Sequence, residues 1–162
     1  LPGLLAHFIA DESSIKVRHQ AGKNNTDEVS RGYRNAGFAE EQLVISDFID
    51  DMKDAYAWAD IVICRAGALT VSEVAASGNA AVFVPLPYAV DDHQTANANW
   101  LVSVGAARLI DQKELDTEMP AVLRELLHAP TLISEMQQRA GQNANLSTTD
   151  RMLSLCQAIG RN

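Results

Sequence analysis

The sequence predicts an α/β protein in which a Rossmann-like parallel sheet is flanked by helices. Short runs rich in valine and isoleucine alternate with helical segments up to about residue 110. Such runs are typical of parallel strands, which are buried on both faces by the helices that connect them. The length of 162 residues, with 47% hydrophobic and 21% charged residues, fits one globular domain with a sizeable core.

The strands are recognised as short apolar runs that end at a polar residue, a glycine or a proline. The first run alternates between apolar and polar residues, whereas the later runs are almost wholly apolar, as expected for buried strands. Strands are predicted at 15–19, 42–46, 61–64, 81–84 and 107–110.

The helices are recognised from the residues that begin and end them. Thr26 is expected to be an N-cap, with Asp27 and Glu28 in the first turn and Gly37 at the end of the helix. The same signals predict the other helices at 52–59, from about 69 to 78, at 92–104, and in a tail from about 117 that is broken at Pro130 and around 141–147 and closes with 148–160.

The composition limits the classes of partner. A net charge of −8 without a stripe of lysine or arginine argues against nucleic acid. Cys64 and Cys156 lie far apart and match neither a disulfide framework nor a metal site, which favours reduced thiols in a cytoplasm. No apolar run approaches the roughly 18 residues of a membrane span. We therefore expect a cytoplasmic protein without a metal or cofactor.

The functional signal lies in two strand–loop–helix units, of which the first runs from Ile61 to Gly78. Its strand breaks at Ala66 and Gly67 and a helix follows near Leu69, so free backbone N–H groups and the positive end of the helix dipole face the crevice above the strand. This geometry suits a pyrophosphate. Glu73 lies in the first turns of the helix and can accept two hydrogen bonds from a vicinal diol such as a ribose.

The second unit brings an amide to the same crevice. Its strand ends at Pro85, and a helix begins around Asp92, His93 and Gln94. The Gln94 amide is both a donor and an acceptor, which is the chemistry that reads sugar hydroxyls. Together the two units predict a site for a nucleotide sugar.

Five segments carry a resemblance to one enzyme family: His19–Asn25, Asp47–Met52, Ala55–Glu73, Val84–Ala98 and Gly105–Gln112. In this order they resemble the C-terminal, donor-binding domain of the MurG family of peptidoglycan N-acetylglucosaminyltransferases. The resemblance covers roughly the first two-thirds of the chain. It implies one half of a two-domain inverting GT-B enzyme, which transfers GlcNAc from UDP-GlcNAc to the MurNAc C4 hydroxyl of lipid I and so forms lipid II.

The resemblance also implies which residues bind the donor. These run from the uracil to the hexose: Ile49 through backbone groups to the uracil, Ala68, Leu69, Thr70, Val71 and Ser72 along the pyrophosphate, Glu73 at the ribose and Gln94 at the GlcNAc. Five further candidates lie beside these positions: His19, Met52, Arg65, Gly67 and His93. No catalytic residue is expected within the chain.

Several of these residues have a structural alternative. His19 either touches the nucleotide from a loop or has a structural role, and for Arg65 the alternative to a pyrophosphate contact is a structural ion pair. His93 is interpreted as a capping neighbour at a helix start rather than a catalyst. Asp50 and Asp51 precede a helix and are interpreted as partners of its dipole rather than metal ligands.

The chain departs from the family pattern at two places. Ala80 stands where the family usually has proline, which should alter only loop stiffness. The chain begins at Leu1 without the strand and the glycine-rich GGS-type loop that open the family's domain. We therefore expect an inactive fragment whose sheet has a slot where that strand would lie. A missing N-terminal domain is expected to bind lipid I, supply the base and contact the cytoplasmic face of the bacterial inner membrane.

Other functions remain open at this point. One is another UDP-sugar-dependent GT-B enzyme, or a stand-alone UDP-GlcNAc-binding catalytic subunit that works beside a membrane partner. A more distant alternative is a non-catalytic, flavodoxin-like ligand-binding module. A phosphoacceptor module would need an aspartate at the end of its third strand, and the strand from Ile61 ends at Arg65.

Overall fold

A computed structural model describes residues 2–9, 15–87 and 93–144, which form five strands and seven α-helices. The strands are β1 Val17–Gln20, β2 Leu43–Ser46, β3 Ile61–Cys64, β4 Ala80–Phe83 and β5 Ala107–Leu109. The helices are α1 Pro2–Ile9, α2 Thr26–Asn35, α3 Met52–Trp58, α4 Ala68–Ser77, α5 His93–Ser103, α6 Leu115–Leu127 and α7 Pro130–Gln142, with 3-10 turns at Glu40–Gln42 and Gln112–Glu114.

Every strand pair in the described residues is parallel, and the predicted α/β class with flanking helices is confirmed. β1 pairs with β2, while β3, β4 and β5 form a second sheet in that order. The strands are thus divided between two sheets. The chain also divides into two compact units, one of residues 1–58 with 114–128 and the other of 59–113 with 129–162.

The first unit is built around Tyr33 of α2, whose side chain is fully buried. Its ring makes edge contacts with the rings of His19 and Phe38. Because such edge-to-face pairs fix the mutual orientation of rings as well as burying them, they lock α2 against β1. Arg18 of β1 pairs with Asp54 of α3 at 2.8 Å, which ties the strand to a second helix.

The second unit is built around β4, whose four residues, Ala80, Ala81, Val82 and Phe83, are all 0% exposed. β4 pairs with a strand on each side, and α7 packs against it. Val74 of α4, Leu101 of α5 and Met136 of α7 are buried in the same unit. A strand buried in this way must be apolar at every position, which explains the continuous apolar run in the sequence.

Most predicted boundaries hold to within two residues, and the differences have local causes. α2 begins at Thr26, so the N-cap is Asn25, and the Thr26 hydroxyl donates to Asp47 at 3.3 Å instead of capping the helix. The sequence-based prediction overlooked α1, which buries Leu5 and Phe8. Gly37, Gly78 and Gly105 follow helices with positive φ angles, as their role in ending helices requires. The predicted helix at 148–160 lies outside the described residues.

No helix within the described ranges is long and apolar enough to cross a membrane.

The loop between α4 and β4 depends on a buried amide, and removing it should destabilise the fold. Asn79 is 4% exposed, and its amide donates to the Ala59 carbonyl at 2.8 Å. Asn79→Ala leaves this carbonyl without its partner, so we expect the free energy of unfolding to fall by about 1–3 kcal/mol. Urea denaturation of the purified protein measures the change. Asn99→Ala on the exposed side of α5 is the matched control, and an equally small effect for both variants would contradict the prediction.

Candidate functional site

The end of β3 and the start of α4 form the loop that the sequence predicts as an anion site. Gly67 is the N-cap, with φ −61° and ψ 146°, and its carbonyl accepts the Val71 N–H at 2.9 Å. No side chain within the described ranges caps this end. The N–H groups of Ala68, Leu69 and Thr70 therefore lack partners inside the helix and point out of its positive end.

The side chains of this first turn differ in what they can offer a ligand. Leu69 is 74% exposed, whereas Val71 is 2% exposed and packs in the core, so Val71 can contribute only through its backbone. The Ser72 hydroxyl donates to the Ala68 carbonyl at 2.9 Å, which is a bond within the helix. Thr70 and Glu73 are half-buried and lie three residues apart, on one face of α4.

The start of α5 brings the predicted sugar reader close to the end of β4. The Gln94 amide oxygen accepts the Leu86 N–H at 3.1 Å, so the amide nitrogen is the group that could still donate to a ligand. Gln94 is half-buried, and His93, the first residue of the helix, is exposed. The sequence prediction treated this amide as both donor and acceptor, and the structure assigns the acceptor to the loop after β4.

A residue that sequence reasoning missed lies one turn further along α5. The Asn97 amide donates to the Ala66 carbonyl at 3.1 Å, directly before the Gly67 cap. The available signal was the spacing of two amides, at 94 and 97, which share a helix face. Arg65 braces the same loops, since its guanidinium donates to the carbonyls of Val84 and Pro85 at 3.0 and 3.2 Å. These Arg65 contacts have a structural role, but they are made to neutral carbonyl groups and do not form the ion pair considered for Arg65 from the sequence.

The remaining candidates lie in the compact unit that contains residues 1–58. The Ile49 N–H donates to the Gln20 side-chain oxygen at 3.0 Å, so one of the two backbone groups expected to meet the uracil already has a partner. Met52 is the first residue of α3 and is half-buried. Asp51 accepts the Asp54 N–H at 2.9 Å and so caps α3, as its interpretation as a helix partner requires. Ile49, Asp50 and Asp51 line a cavity of about 180 Å³.

His19 lies inside β1, within the strand predicted at 15–19 and not in the loop from which it was expected to touch the nucleotide. Its Nδ1 is 3.0 Å from the Tyr33 hydroxyl, and the two rings are in edge contact. Burial lowers the pKa of the His19 imidazole and raises the pKa of the Tyr33 hydroxyl, because both charged forms lose water in this position. These contacts support the structural alternative for His19.

Comparison with known proteins relates this chain to a family. Residues 5–152 match the model for the glycosyltransferase family 28 C-terminal domain. The UDP-N-acetylglucosamine--N-acetylmuramyl-(pentapeptide) pyrophosphoryl-undecaprenol N-acetylglucosamine transferase of Aeromonas hydrophila is 51% identical over 146 residues, which are 90% of this chain and 40% of the relative. The enzyme of the same name from Pseudoalteromonas atlantica is 47% identical over 93% of this chain and 40% of its own length.

Two solved glycosyltransferase structures also resemble this chain. The crystal structure of Acinetobacter baumannii MurG matches with a TM-score of 0.80 and 40% identity, over 97% of this chain and 44% of that one. The glycotransferase of kitacinnamycin matches with a TM-score of 0.59 at 18% identity, a likeness of fold alone. The neighbours are GT-B glycosyltransferases, and the chain spans less than half the length of the relatives it matches.

The buried His19 should make stability depend on pH in a defined direction. Above the ordinary histidine pKa of about 6.5 the imidazole is neutral in both states, and below it the unfolded chain takes up the proton first, because the folded-state pKa is lowered. The contribution of His19 to the free energy of unfolding should therefore be lost as the pH falls below about 6.5. His19→Gln, which can still bond Tyr33, should lose part of this dependence in urea denaturation. His128→Gln, at an exposed histidine, should keep it, and identical pH profiles for all three proteins would refute the role of His19.

Proposed function

The chain belongs to the glycosyltransferase family 28 C-terminal domain family, and on that premise we propose that it binds UDP-GlcNAc as the donor domain of a peptidoglycan GlcNAc transferase. The observation that carries the proposal is the uncapped start of α4, with Glu73 in the following turn. A diphosphate and a ribose lie next to each other in a nucleotide sugar, and these two features lie next to each other on one helix.

Local dipoles must supply the attraction for the diphosphate. The chain has a net charge of −8, so its overall field repels an anion. The N–H groups of Ala68, Leu69 and Thr70, with the positive end of the α4 dipole, provide the favourable local field. The same groups would take up the charge that develops on departing UDP, a kind of stabilisation worth about 3 kcal/mol per well-placed donor.

The sugar end of the donor is assigned to α5. The Gln94 amide nitrogen would donate to a GlcNAc hydroxyl while its oxygen holds the Leu86 N–H. Because both ends of the amide are then used, the side chain would be fixed in orientation, which favours discrimination between epimeric hydroxyls.

The uracil is assigned to the backbone of Ile49. Its N–H donates to the Gln20 side-chain oxygen at 3.0 Å. A uracil oxygen that accepts this N–H would replace the Gln20 amide oxygen, and the Ile49 carbonyl would accept from the uracil ring N–H. A purine presents a different pattern of donors and acceptors at this edge, so the exchange favours uridine nucleotides.

The transfer reaction is proposed for the whole enzyme. The C4 hydroxyl of MurNAc in lipid I would attack the anomeric carbon of GlcNAc and release UDP. The relatives are more than twice as long as the matched segment, and their names state the acceptor, N-acetylmuramyl-(pentapeptide) pyrophosphoryl-undecaprenol. We assign the acceptor site, the catalytic base and contact with the cytoplasmic face of the membrane to a further domain, so the 162-residue chain alone should transfer no GlcNAc.

Nucleotide choice tests the assignment of Ile49. UDP should displace UDP-GlcNAc at least about 10-fold better than ADP or GDP does, a difference of about 1.4 kcal/mol. Titration calorimetry with the complete gene product that contains this chain measures the three affinities. Equal affinity for the purine diphosphates would rule out base recognition by Ile49.

Glu73 should contribute to binding of UDP and UDP-GlcNAc alike. Glu73→Ala removes a charged acceptor from the ribose diol, and such hydrogen bonds contribute about 1.5–3 kcal/mol, so both ligands should bind about 10- to 150-fold more weakly. Calorimetry on the complete gene product gives both values. Glu118→Ala, the same charge change at an exposed position of α6, is the control and should bind both ligands normally. A loss confined to UDP-GlcNAc would place Glu73 at the hexose instead.

Gln94 should affect the affinity only for ligands that carry the sugar. Gln94→Ala should leave UDP affinity almost unchanged and weaken UDP-GlcNAc by about 1 kcal/mol or more, with a relaxed preference over UDP-GalNAc. If Gln94→Ala weakened UDP binding as much as UDP-GlcNAc binding, Gln94 would not be the sugar reader.

A further inference from the structure

The Ala66 carbonyl is a buried polar group that the sheet does not satisfy. Ala66 is 0% exposed and lies beyond the end of β3, where Cys64 provides the last carbonyl bonded to the neighbouring strand, accepting the Val84 N–H. A buried carbonyl without a partner is costly, so this peptide needs a donor from elsewhere in the fold. That donor is the Asn97 amide, at 3.1 Å.

The Asn97 contact sets the direction of the next N–H group. The Ala66 carbonyl and the Gly67 N–H belong to one planar, trans peptide, in which the two groups point in opposite directions. An amide that holds the carbonyl on the α5 side therefore turns the Gly67 N–H away from α5. No described residue accepts from this N–H, and it directly precedes the uncapped N–H groups of α4.

Asn97 itself is held firmly enough to do this. The next residue, Ala98, and Leu101 one turn further on are both 0% exposed, which anchors α5. On the same face Gln94 holds the Leu86 N–H. One helix thus fixes the loop after β3 and the loop after β4 with two amides a single turn apart.

We propose that Asn97 is a positioning residue for the diphosphate: by holding the Ala66 carbonyl, it aims the Gly67 N–H at the phosphate oxygens. The proposal rests on the proposed UDP-GlcNAc site and adds a residue that acts through the backbone without touching the ligand. Its effect is therefore confined to ligands that carry phosphate. A merely structural role would weaken every ligand of the site by the same factor.

The test compares UDP with uridine in the complete gene product that contains this chain. Asn97→Ala should lower the affinity for UDP by about 3- to 10-fold, which is the range of one net hydrogen bond, and leave the affinity for uridine unchanged. Calorimetry measures the affinity for UDP, and ligand-observed NMR measures the affinity for uridine. Normal uridine binding also shows that the site is folded. An equal loss for UDP and uridine, or no loss for UDP, overturns the proposal.

Two aspartate variants separate positioning from charge. Asn97→Asp has the same shape but turns a carboxylate oxygen toward the Ala66 carbonyl, so UDP should weaken at least as much as in Asn97→Ala. Asn99→Asp places the same charge on the exposed side of α5 and should bind UDP normally. If only Asn97→Asp weakened UDP while Asn97→Ala bound it normally, the effect would be one of charge and the positioning role would be refuted.

A second pair of variants tests the Gly67 N–H without altering Asn97. The φ angle of −61° at Gly67 suits proline, and a Cβ there would meet only the Thr70 hydroxyl oxygen, at 3.8 Å. Gly67→Pro removes the N–H and should lower the affinity for UDP relative to uridine more than Gly67→Ala does, because alanine keeps the N–H. Equal UDP affinity in the two variants overturns the proposal. Addition of Asn97→Ala to Gly67→Pro should cause no further loss, because both act through one group.

Failure of the proposed function would look different. In that case the unsubstituted protein would bind UDP no better than uridine, and the diphosphate would contribute nothing for Asn97 to position. Normal preference for UDP in the unsubstituted protein, with unchanged preference in the Asn97 variants, would refute the positioning role alone.

Discussion

The burial and pairing of strand β4 is the constraint on which the compact unit that contains residues 59–113 depends. Its residues are fully buried and hydrogen-bonded on both sides, to β3 and to β5. Because parallel strands point the same way, this pairing brings the carboxyl ends of β3 and β4 to one edge, and the loops that follow them meet there. The apolar interior therefore determines where the polar loops of the site lie, although it contributes no group to the site.

The loops at that edge leave the regular hydrogen-bond pattern, and their polar groups are divided between structure and function. Carbonyl groups are satisfied internally: Ala66 by Asn97, and Val84 and Pro85 by Arg65. The N–H groups at the start of α4 keep no internal partner among the described residues. Side-chain donors satisfy the carbonyls, which leaves backbone N–H groups available to an anion. This arrangement would allow an acidic chain to bind the proposed diphosphate.

The first unit shows the opposite use of polar side chains. His19 and Tyr33 bond each other and pack edge to face, and the Gln20 side chain holds the Ile49 N–H. His19 and the Ile49 N–H, two of the groups considered for nucleotide contact, are thus already engaged in local contacts. Uracil binding at Ile49 would exchange the N–H bond to Gln20 for one to the base and add a bond only at the carbonyl, so base recognition there would contribute selectivity more than affinity.

The sequence by itself determined the alternation of strands and helices, the glycines that end α2, α4 and α5, and the strand–glycine–helix loop at Gly67, because each follows from residues close together in the chain. It missed α1, although a proline at the first helical position was available as a signal. Only the tertiary structure decided that Asn97 holds Ala66, 31 residues away. The same holds for the Arg65 contacts and for the burial of His19 against Tyr33. Many donors in a chain can satisfy a given acceptor, and the choice among them is made by the packing of whole elements rather than by local pattern.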